Sequence, residues 1–353
     1  MKYGIALPTW SDCWKLVKRA EDAGFSSAWF YDTQLLNAEL FAAMGAAAVK
    51  TEKIRLGTGV LIPSNRIAPV AAAGLATLNA LAPRRIDFGV GTGFTGRRTM
   101  GLAAITRANL REYLRIVQGL LARETVEWDF EGLHRKIRFL NPETDLVNTT
   151  DPIALHVSAM GPKMRTLTAE LGAGWLNFVG GQAGALHDAA GMREAWQVAG
   201  RAEGAMSATA FFPGAVLAQG EAFDSARAKA QAGPGAAVVL HGMIEGGFED
   251  LSASLPPFLA EVLGRYREIY QSYTPADARY LTLHRGHLMF LRPEEEPLIT
   301  ADLIRELTFT GTPDALAERV RELGRAGYTQ VAVQIAPGHD DAIDDWARVF
   351  ERV

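Results

Sequence analysis

Short apolar strands and helices alternate along this chain from residue 2 to residue 353, and few folds accept that order. Segments 2–7, 27–31, 53–63, 85–90, 153–158, 174–178, 209–218 and 328–335 read as strands from their apolar or alternating residues. Helical spacing fills the intervals at 12–23, 39–49, 68–81, 110–121, 161–171, 185–200, 224–232 and 313–326, and again at 341–353. Thr312 is placed as the N-cap, and Pro313 in the first turn, of the helix at 313–326. Repeated βα units imply parallel strands. Eight of them suit an α/β fold closed as a (β/α)8 TIM barrel; a doubly wound open sheet is the alternative. Two segments depart from the rhythm. Residues 124–151, with Trp128, Phe130, His134 and Arg138, read as an excursion after the fourth strand. Residues 235–300 read as a lid-like insertion before the eighth, with a helical piece at 258–273. The expectation is one domain, 1–353, carrying both insertions.

Composition narrows the function classes. Hydrophobic residues are 48% and charged residues 22%, as in an ordinary soluble enzyme. The net charge is −4 and no Lys/Arg block occurs, which argues against nucleic acid as a partner. A single cysteine, Cys13, leaves no internal disulfide and suits a reducing compartment. The opening MKYGIALPTW lacks the apolar core of a signal peptide, and no apolar run is long enough to span a membrane. A cytoplasmic protein acting on a small molecule is expected.

In parallel barrels the site lies at the carboxyl ends of the strands. Those ends contain Trp10, Asp32-Thr33-Gln34, Gly59 to Arg66, Gly91-Thr92-Gly93-Phe94, Ser158 to Gly161, and Asn177-Phe178. Small residues mixed with aromatics suit a flat heterocycle. They lack the converging carboxylates or histidines of a metal site. Glycine at a strand end permits close approach of a ligand or of another backbone, and one strand alone does not separate the two. Ser158-Ala159-Met160-Gly161-Pro162-Lys163 follows a strand and opens a helix, where free amides bind phosphate; an ordinary βα turn has the same composition. The GVGTG at 89–93 lacks dinucleotide-fingerprint spacing. Asp32 ends an apolar strand and is placed to bind a ligand, move a proton or cap the next turn. His284 and His287 lack a convincingly spaced third ligand, so no metal is expected there. His241, Arg285 and His287 in the insertion, and Gln334 in the last strand, are expected to meet substrate at the mouth. His156 reads as an interior group. Cys13 has no neighbouring base and is not a nucleophile.

Five stretches in order, AEDAGFSSAWFYD, IRLGTGVLIPSNRIAPV, ATLNALAPRRIDFGVGTG, HVSAMGPKMRTLTAELGAGWLN and FTGTPDALAERVRELGRAGYTQV, give the chain its resemblance to the bacterial luciferase-like flavin-dependent oxidoreductases. It most resembles their methylene-tetrahydromethanopterin reductase-like branch. The resemblance implies a (β/α)8 barrel, often dimeric, that binds FMN or its deazaflavin relative, coenzyme F420. It implies a non-proline cis peptide at Gly59-Val60 supporting the ring, and ring contacts from Thr92 and Gly93. It places the phosphate at Ser158, Ala159, Met160 and Gly161, and Asp32, the expected catalytic group, near the reactive side. Trp10, Phe94 and Phe178 would form an apolar substrate-binding mouth. The small-residue helices at 39–50 and 68–81 would form the face of a homodimer, or else simply pack on their own barrel. Thr33 stands where many relatives have histidine. Phe94, Phe178 and Gly181 replace the glutamate, threonine and lysine of the deazaflavin-dependent sugar-phosphate dehydrogenases, which points away from that substrate.

Three functional readings follow, in this order. The first is a monooxygenase using reduced FMN supplied by a separate flavin reductase, its peroxide intermediate shielded by the apolar mouth. The second is a deazaflavin-dependent hydride-transfer enzyme. The third is a noncatalytic flavin-binding relative.

Overall fold

A computed structural model describes residues 1–246 and 257–353. The strands are β1 (Lys2–Leu7), β2 (Ser27–Phe30), β3 (Arg55–Thr58), β4 (Ile86–Val90), β5 (Val126–Phe130), β6 (Leu133–Ile137), β7 (Ala154–Ser158), β8 (Gly174–Phe178), β9 (Ala208–Phe212) and β10 (Gln330–Gln334). Eight of them close a barrel in the order β1-β10-β9-β8-β7-β4-β3-β2, and every neighbouring pair is parallel. The closed-barrel expectation holds, and the open sheet is set aside. β5 and β6 form the antiparallel hairpin of the first excursion.

Helices wrap the outside: α1 (Trp14–Asp22), α2 (Leu40–Lys50), α3 (Ala68–Leu81), the short α4 (Phe94–Arg98), α5 (Arg107–Leu121), α6 (Pro162–Leu171) and α7 (Gln182–Val198). They are followed by α8 (Ala226–Ile244), α9 (Pro257–Ser272), α10 (Tyr280–Leu283), α11 (Ala301–Leu307), α12 (Pro313–Arg325) and α13 (Ala342–Phe350). The inward faces of the outer helices and the outward strand residues make one continuous core. Thr312 takes the N-cap position of α12, but its side chain makes no capping hydrogen bond. Among the described residues, no helix is long and apolar enough to cross a membrane.

Strand alternation layers the interior. At the base, Gln330 Nε2 donates to Ser27 Oγ at 2.6 Å, and Thr209 Oγ1 donates to Gln330 Oε1 at 3.0 Å. Also buried, Asp87 takes two hydrogen bonds from Arg55 and lies 3.5 Å from His156 Nε2. Burial raises the Asp87 carboxyl, but the bonds from His156 and Arg55 reverse this and hold it below the usual range. Above lies an apolar layer of Ala6, Trp29, Tyr31, Leu176, Phe211 and Ala332. Polarity therefore gives way to apolar surface toward the mouth.

The long insertion has its own core, built from α8, α9, α11 and the loops between them. It departs where the backbone after β9 pairs with residues 309–311: Phe309 N donates to Pro213 O at 2.9 Å and Leu217 N to Gly311 O at 2.8 Å. It is therefore entered near Leu217 and left near Phe309, a wider span than the expected 235–300. Residues 247–256 of that expected span lie outside the described residues. Helix α8 does not stop at 232 but continues through Pro234. Its neighbour Gly235 packs so closely on Pro213 that a Cβ there would collide with the ring. That close approach explains how tertiary packing carries a helix past its breaker residue.

Candidate functional site

The rim of the mouth begins where β3 ends. The strand stops at Thr58, short of the apolar run 60–62, and the Gly59–Val60 peptide is cis. The backbone on both sides is anchored: Gly59 N donates to Phe30 O at 2.7 Å, Leu61 N to Gly89 O at 2.9 Å, and Gly91 N to Leu61 O at 3.2 Å. Val60 is left half-buried at the mouth. Gly91 lies between Val60 and Ser158: a Cβ on it would stand 2.8 Å from Val60 Cγ2 and 3.4 Å from Ser158 Cβ. Val60, Gly91 and Ser158, from three adjacent strand ends, thus lie side by side, with Thr92 next in chain and half-buried. Gly93 turns the chain into α4 with φ +83, a conformation that favours glycine.

Asp32 sits behind this rim and is 5% exposed. Its carboxylate accepts from Ile62 N at 2.9 Å and from Arg66 Nη1 at 2.9 and 2.8 Å. Arg66 also bonds Glu39 and lies over the Phe41 ring at 4.7 Å. Burial pushes the Asp32 carboxyl above the usual range, against the pull of Arg66. Asp32 therefore ties β2 to the chain just after the cis peptide. Gln34 does similar work, donating to Gly96 O and accepting from Asn65 Nδ2 at 2.6 Å. The sequence pattern placed both Asp32 and Arg66 at strand ends but did not pair them, since only the fold brings the loop after β3 against the end of β2.

On the opposite side, α6 presents its N-terminus. Ala159 is buried, while Met160, Gly161 and Lys163 are exposed. Gly161 is the N-cap with extended backbone and no side chain to cap, and a Cβ on it would meet nothing within 4 Å. The first amides of a helix lack intrahelical acceptors, so this end faces open space. Its loop is fixed from behind. Arg165, 8% exposed, donates to Met160 O at 3.0 Å and to Asp188 at 2.9 Å, and Trp175 Nε1 donates to Ala159 O at 2.9 Å.

Aromatics and one insertion residue crowd the centre. Phe178 stacks on Phe211 at 4.7 Å, and Leu288 packs into the same apolar cluster. Leu288 adopts φ +59, and its carbonyl accepts from Gln334 Nε2 at 2.5 Å. Nothing in the sequence marked it. Phe94 lies under the Arg98 guanidinium at 3.9 Å. Trp10 instead borders a hollow of about 340 Å³ with Asp12, Lys15, Leu16, Pro337 and Gly338. His156 points inward near Trp29 and Asp87, an interior group as expected.

The other expected substrate residues lie within the insertion. His241 on α8 is 4% exposed, its Nε2 2.6 Å from Glu295 Oε1. Glu295 also takes hydrogen bonds from Tyr266 at 2.9 Å and from Arg292, which in turn reaches Tyr266 and Tyr273 at 2.7 Å. Burial raises the Glu295 carboxyl, but the bond from His241 and the Arg292 guanidinium reverse this and hold it at about 2. His287 is half-buried beside Leu288, whereas Arg285 is exposed. The rim residues thus converge; Trp10, His241 and Arg285 do not face the same space.

Comparison with known proteins agrees with the closed-barrel fold. The family model described as luciferase-like monooxygenase matches residues 2–330. The chain is 28% identical over 347 residues to a 5,10-methylenetetrahydromethanopterin reductase of Archaeoglobus fulgidus, covering 96% of this chain and 95% of that one. An F420-dependent glucose-6-phosphate dehydrogenase of Beutenbergia cavernae is 36% identical over 140 residues, spanning 38% of this chain and 40% of that protein. The solved structure of the coenzyme F420 dependent tetrahydromethanopterin reductase from Methanopyrus kandleri superposes with TM-score 0.70 at 22% identity, covering 98% of this chain and 97% of that one. The sequence relatives thus stand with reductases and F420-dependent dehydrogenases, which corrects the expectation of a reduced-FMN monooxygenase. With its closed barrel, its main-chain rim and a match over nearly its whole length, the chain belongs to the luciferase-like monooxygenase family.

Proposed function

We propose that this protein is a deazaflavin-dependent oxidoreductase that transfers hydride between coenzyme F420 and a small organic substrate at the barrel mouth. The observation that carries the reading is the end-to-end similarity to the archaeal methylenetetrahydromethanopterin reductase, together with several F420-dependent relatives. The residues present fit the cofactor in one respect that the geometry makes concrete. Gly91 lies between Val60 and Ser158 with no room for a Cβ, which leaves main chain for a flat ring to approach, and the α6 N-terminus that follows Ser158 is open.

When bound, the deazaflavin supplies a two-electron hydride donor or acceptor. The chain's own residues would hold and orient it. Gly59 and Val60 would lie beneath the ring, with Thr92 and Gly93 at its edge. Ser158, Ala159, Met160 and Gly161 would receive the phosphate, using free amides and the helix dipole. Asp32 acts as a positioning group, holding the Ile62 amide and Arg66 behind the rim. Tyr31, whose phenol burial keeps protonated, offers a hydroxyl in the apolar layer below. Phe178, Phe211 and Leu288 would exclude water from the reacting face. Phe94 and Phe178 would meet substrate.

The apolar residues Val49, Ile67, Val70 and Leu81 on and beside α2 and α3 are 41–60% exposed. Their patch would be covered by a second copy, giving a homodimer. Gly74 on α3 already admits Phe41 so closely that a Cβ would collide with its ring, so the small residues also serve packing within the barrel. The cytoplasm is the setting in which such a cofactor and dimer would meet.

Titrating the purified protein with each cofactor, followed by fluorescence, tests the reading. Saturable binding of the deazaflavin with weak or no FMN binding is expected. Tight FMN binding with no response to the deazaflavin sinks it.

A further inference from the structure

The insertion brings His241 beside His284 and His287, supplying the third histidine that the spacing of the pair did not show. One ring nitrogen from each of His241, His284 and His287 lies within 4.8 Å of the other two. The rings meet edge to face, His241 to His284 at 6.4 Å and His284 to His287 at 6.3 Å between centroids. His241 and His284 are 4% and 2% exposed. Each has its Nε2 engaged by a carboxylate: Glu295 at 2.6 Å for His241 and Glu245 at 3.1 Å for His284. The Nδ1 atoms of all three rings are buried without a hydrogen-bond partner among the described residues.

Buried imidazole nitrogens without partners are costly unless something occupies the space between them. The arrangement also carries the outer shell that metal-binding histidines have. A carboxylate accepts the proton of the far nitrogen, fixes the tautomer and turns the lone pair of the near nitrogen inward. Both carboxylates are themselves held, Glu295 by Arg292 and Tyr266, and Glu245 by Arg98 at 2.7 Å.

We propose that His241, His284 and His287 form a site for one divalent transition-metal ion of the zinc class, with a fourth position open on the side of half-buried His287. Imidazole donors favour zinc, cobalt, nickel or copper over magnesium and calcium. Zinc–nitrogen bonds of about 2.0–2.1 Å bring tetrahedral ligands to roughly 3.4 Å from one another. Small ring rotations therefore close the site. His287 is followed directly by Leu288, which packs into the apolar cluster at the mouth, so an ion here would brace the loop that covers that mouth.

The test is metal uptake by the full-length protein. After chelator treatment and removal of the chelator, the protein is titrated with Zn2+, Co2+ and Mg2+, and bound metal is counted by mass spectrometry. One equivalent of Zn2+ is expected, no Mg2+, and a visible tetrahedral spectrum with Co2+. His287→Ala, at the more exposed position, is expected to abolish uptake. His134→Ala, on the distant hairpin, is expected to leave it intact. Glu245→Gln keeps all three ligands and is expected to weaken zinc binding about 10–100-fold. Failure to take up either Zn2+ or Co2+ overturns the proposal, as does uptake that survives His287→Ala. Should His287→Ala not fold, an unchanged zinc affinity in Glu245→Gln overturns it instead.

Discussion

The mouth of the barrel and the core of the insertion are built on opposite principles. At the rim, glycines and main chain set the shape: Gly59, Gly91 and Gly93 bring backbone where a Cβ would crowd a neighbour, and Gly161 leaves a helix end open. In the insertion, Arg292, Glu295, His241, Tyr266 and Tyr273 form a buried network of charged and polar groups. The rim gains specificity from what is left out, and the insertion from what is paired. The two respond differently to substitution. Loss of one partner in the network strands the others, whereas an added atom at the rim changes a shape without unfolding it.

The largest expected effect tests the network. Arg292 and Glu295 are 2% and 1% exposed. Arg292→Ala leaves the Glu295 carboxylate and two tyrosine hydroxyls without their central donor. Removal of one partner of a buried pair costs about 3–5 kcal/mol. Chemical denaturation followed by fluorescence is expected to show a loss of that size. A loss below about 1 kcal/mol would mean that water or a rearranged side chain replaces the guanidinium, and the contrast with the rim would weaken.

The base of the barrel offers a second buried pair, in which pH replaces mutation. Asp87 is held below the usual carboxylate range in the folded state. A depressed folded value means that the unfolded chain binds the proton more readily. The stabilisation is complete above the unfolded value of about 3.9 and is lost as pH falls through the lower folded one. Asp87→Asn is expected to cost about 2 kcal/mol at neutral pH, the scale of charged hydrogen bonds. Its deficit against the parent should shrink as pH drops below about 4. A constant deficit across that range would show that Asp87 acts through packing rather than charge.

At the rim, Gly91→Ala adds one methyl beside Val60 and Ser158. Small shifts of those two side chains can absorb it, so the thermal midpoint should move by only a few degrees. Deazaflavin affinity is expected to fall about tenfold, a change of 1.4 kcal/mol. Unchanged affinity with unchanged stability would place the ring elsewhere than over this strand end.

The same contrast explains which parts of the molecule could be read in advance. Each rim residue lies in a local motif directly after a strand, so alternation followed by glycine singles out Gly59, Thr92 and Gly161 as candidates without knowledge of the fold. The eight strands were equally accessible, because parallel βα units leave short apolar runs at regular intervals. The insertion has no such periodicity. His241 joins His284 and His287 only because α8 continues through Pro234, where local propensity predicts a stop. Glu295 lies in a run of glutamates that resembles a solvated turn, and only tertiary contact turns it into a buried partner. Leu288 carries no signal at all, since a lone leucine in a polar loop has no periodic neighbours.

The smallest expected change in stability separates folding from function most cleanly. Gly161 caps α6 with no side chain, and the space around its Cα is open. Gly161→Asp adds a preferred N-cap and a negative charge at the positive end of the helix dipole. Both terms favour the fold, by a few tenths to about 1 kcal/mol. The same charge competes for the amides that would receive the cofactor phosphate and repels it. The variant is expected to melt at the same temperature or slightly higher while losing deazaflavin affinity, with the loss reduced at high salt as screening shortens the repulsion. Calorimetry and cofactor titration on one preparation would measure both. A more stable variant with full affinity would remove the α6 N-terminus from the phosphate site and leave its open end without an assigned ligand.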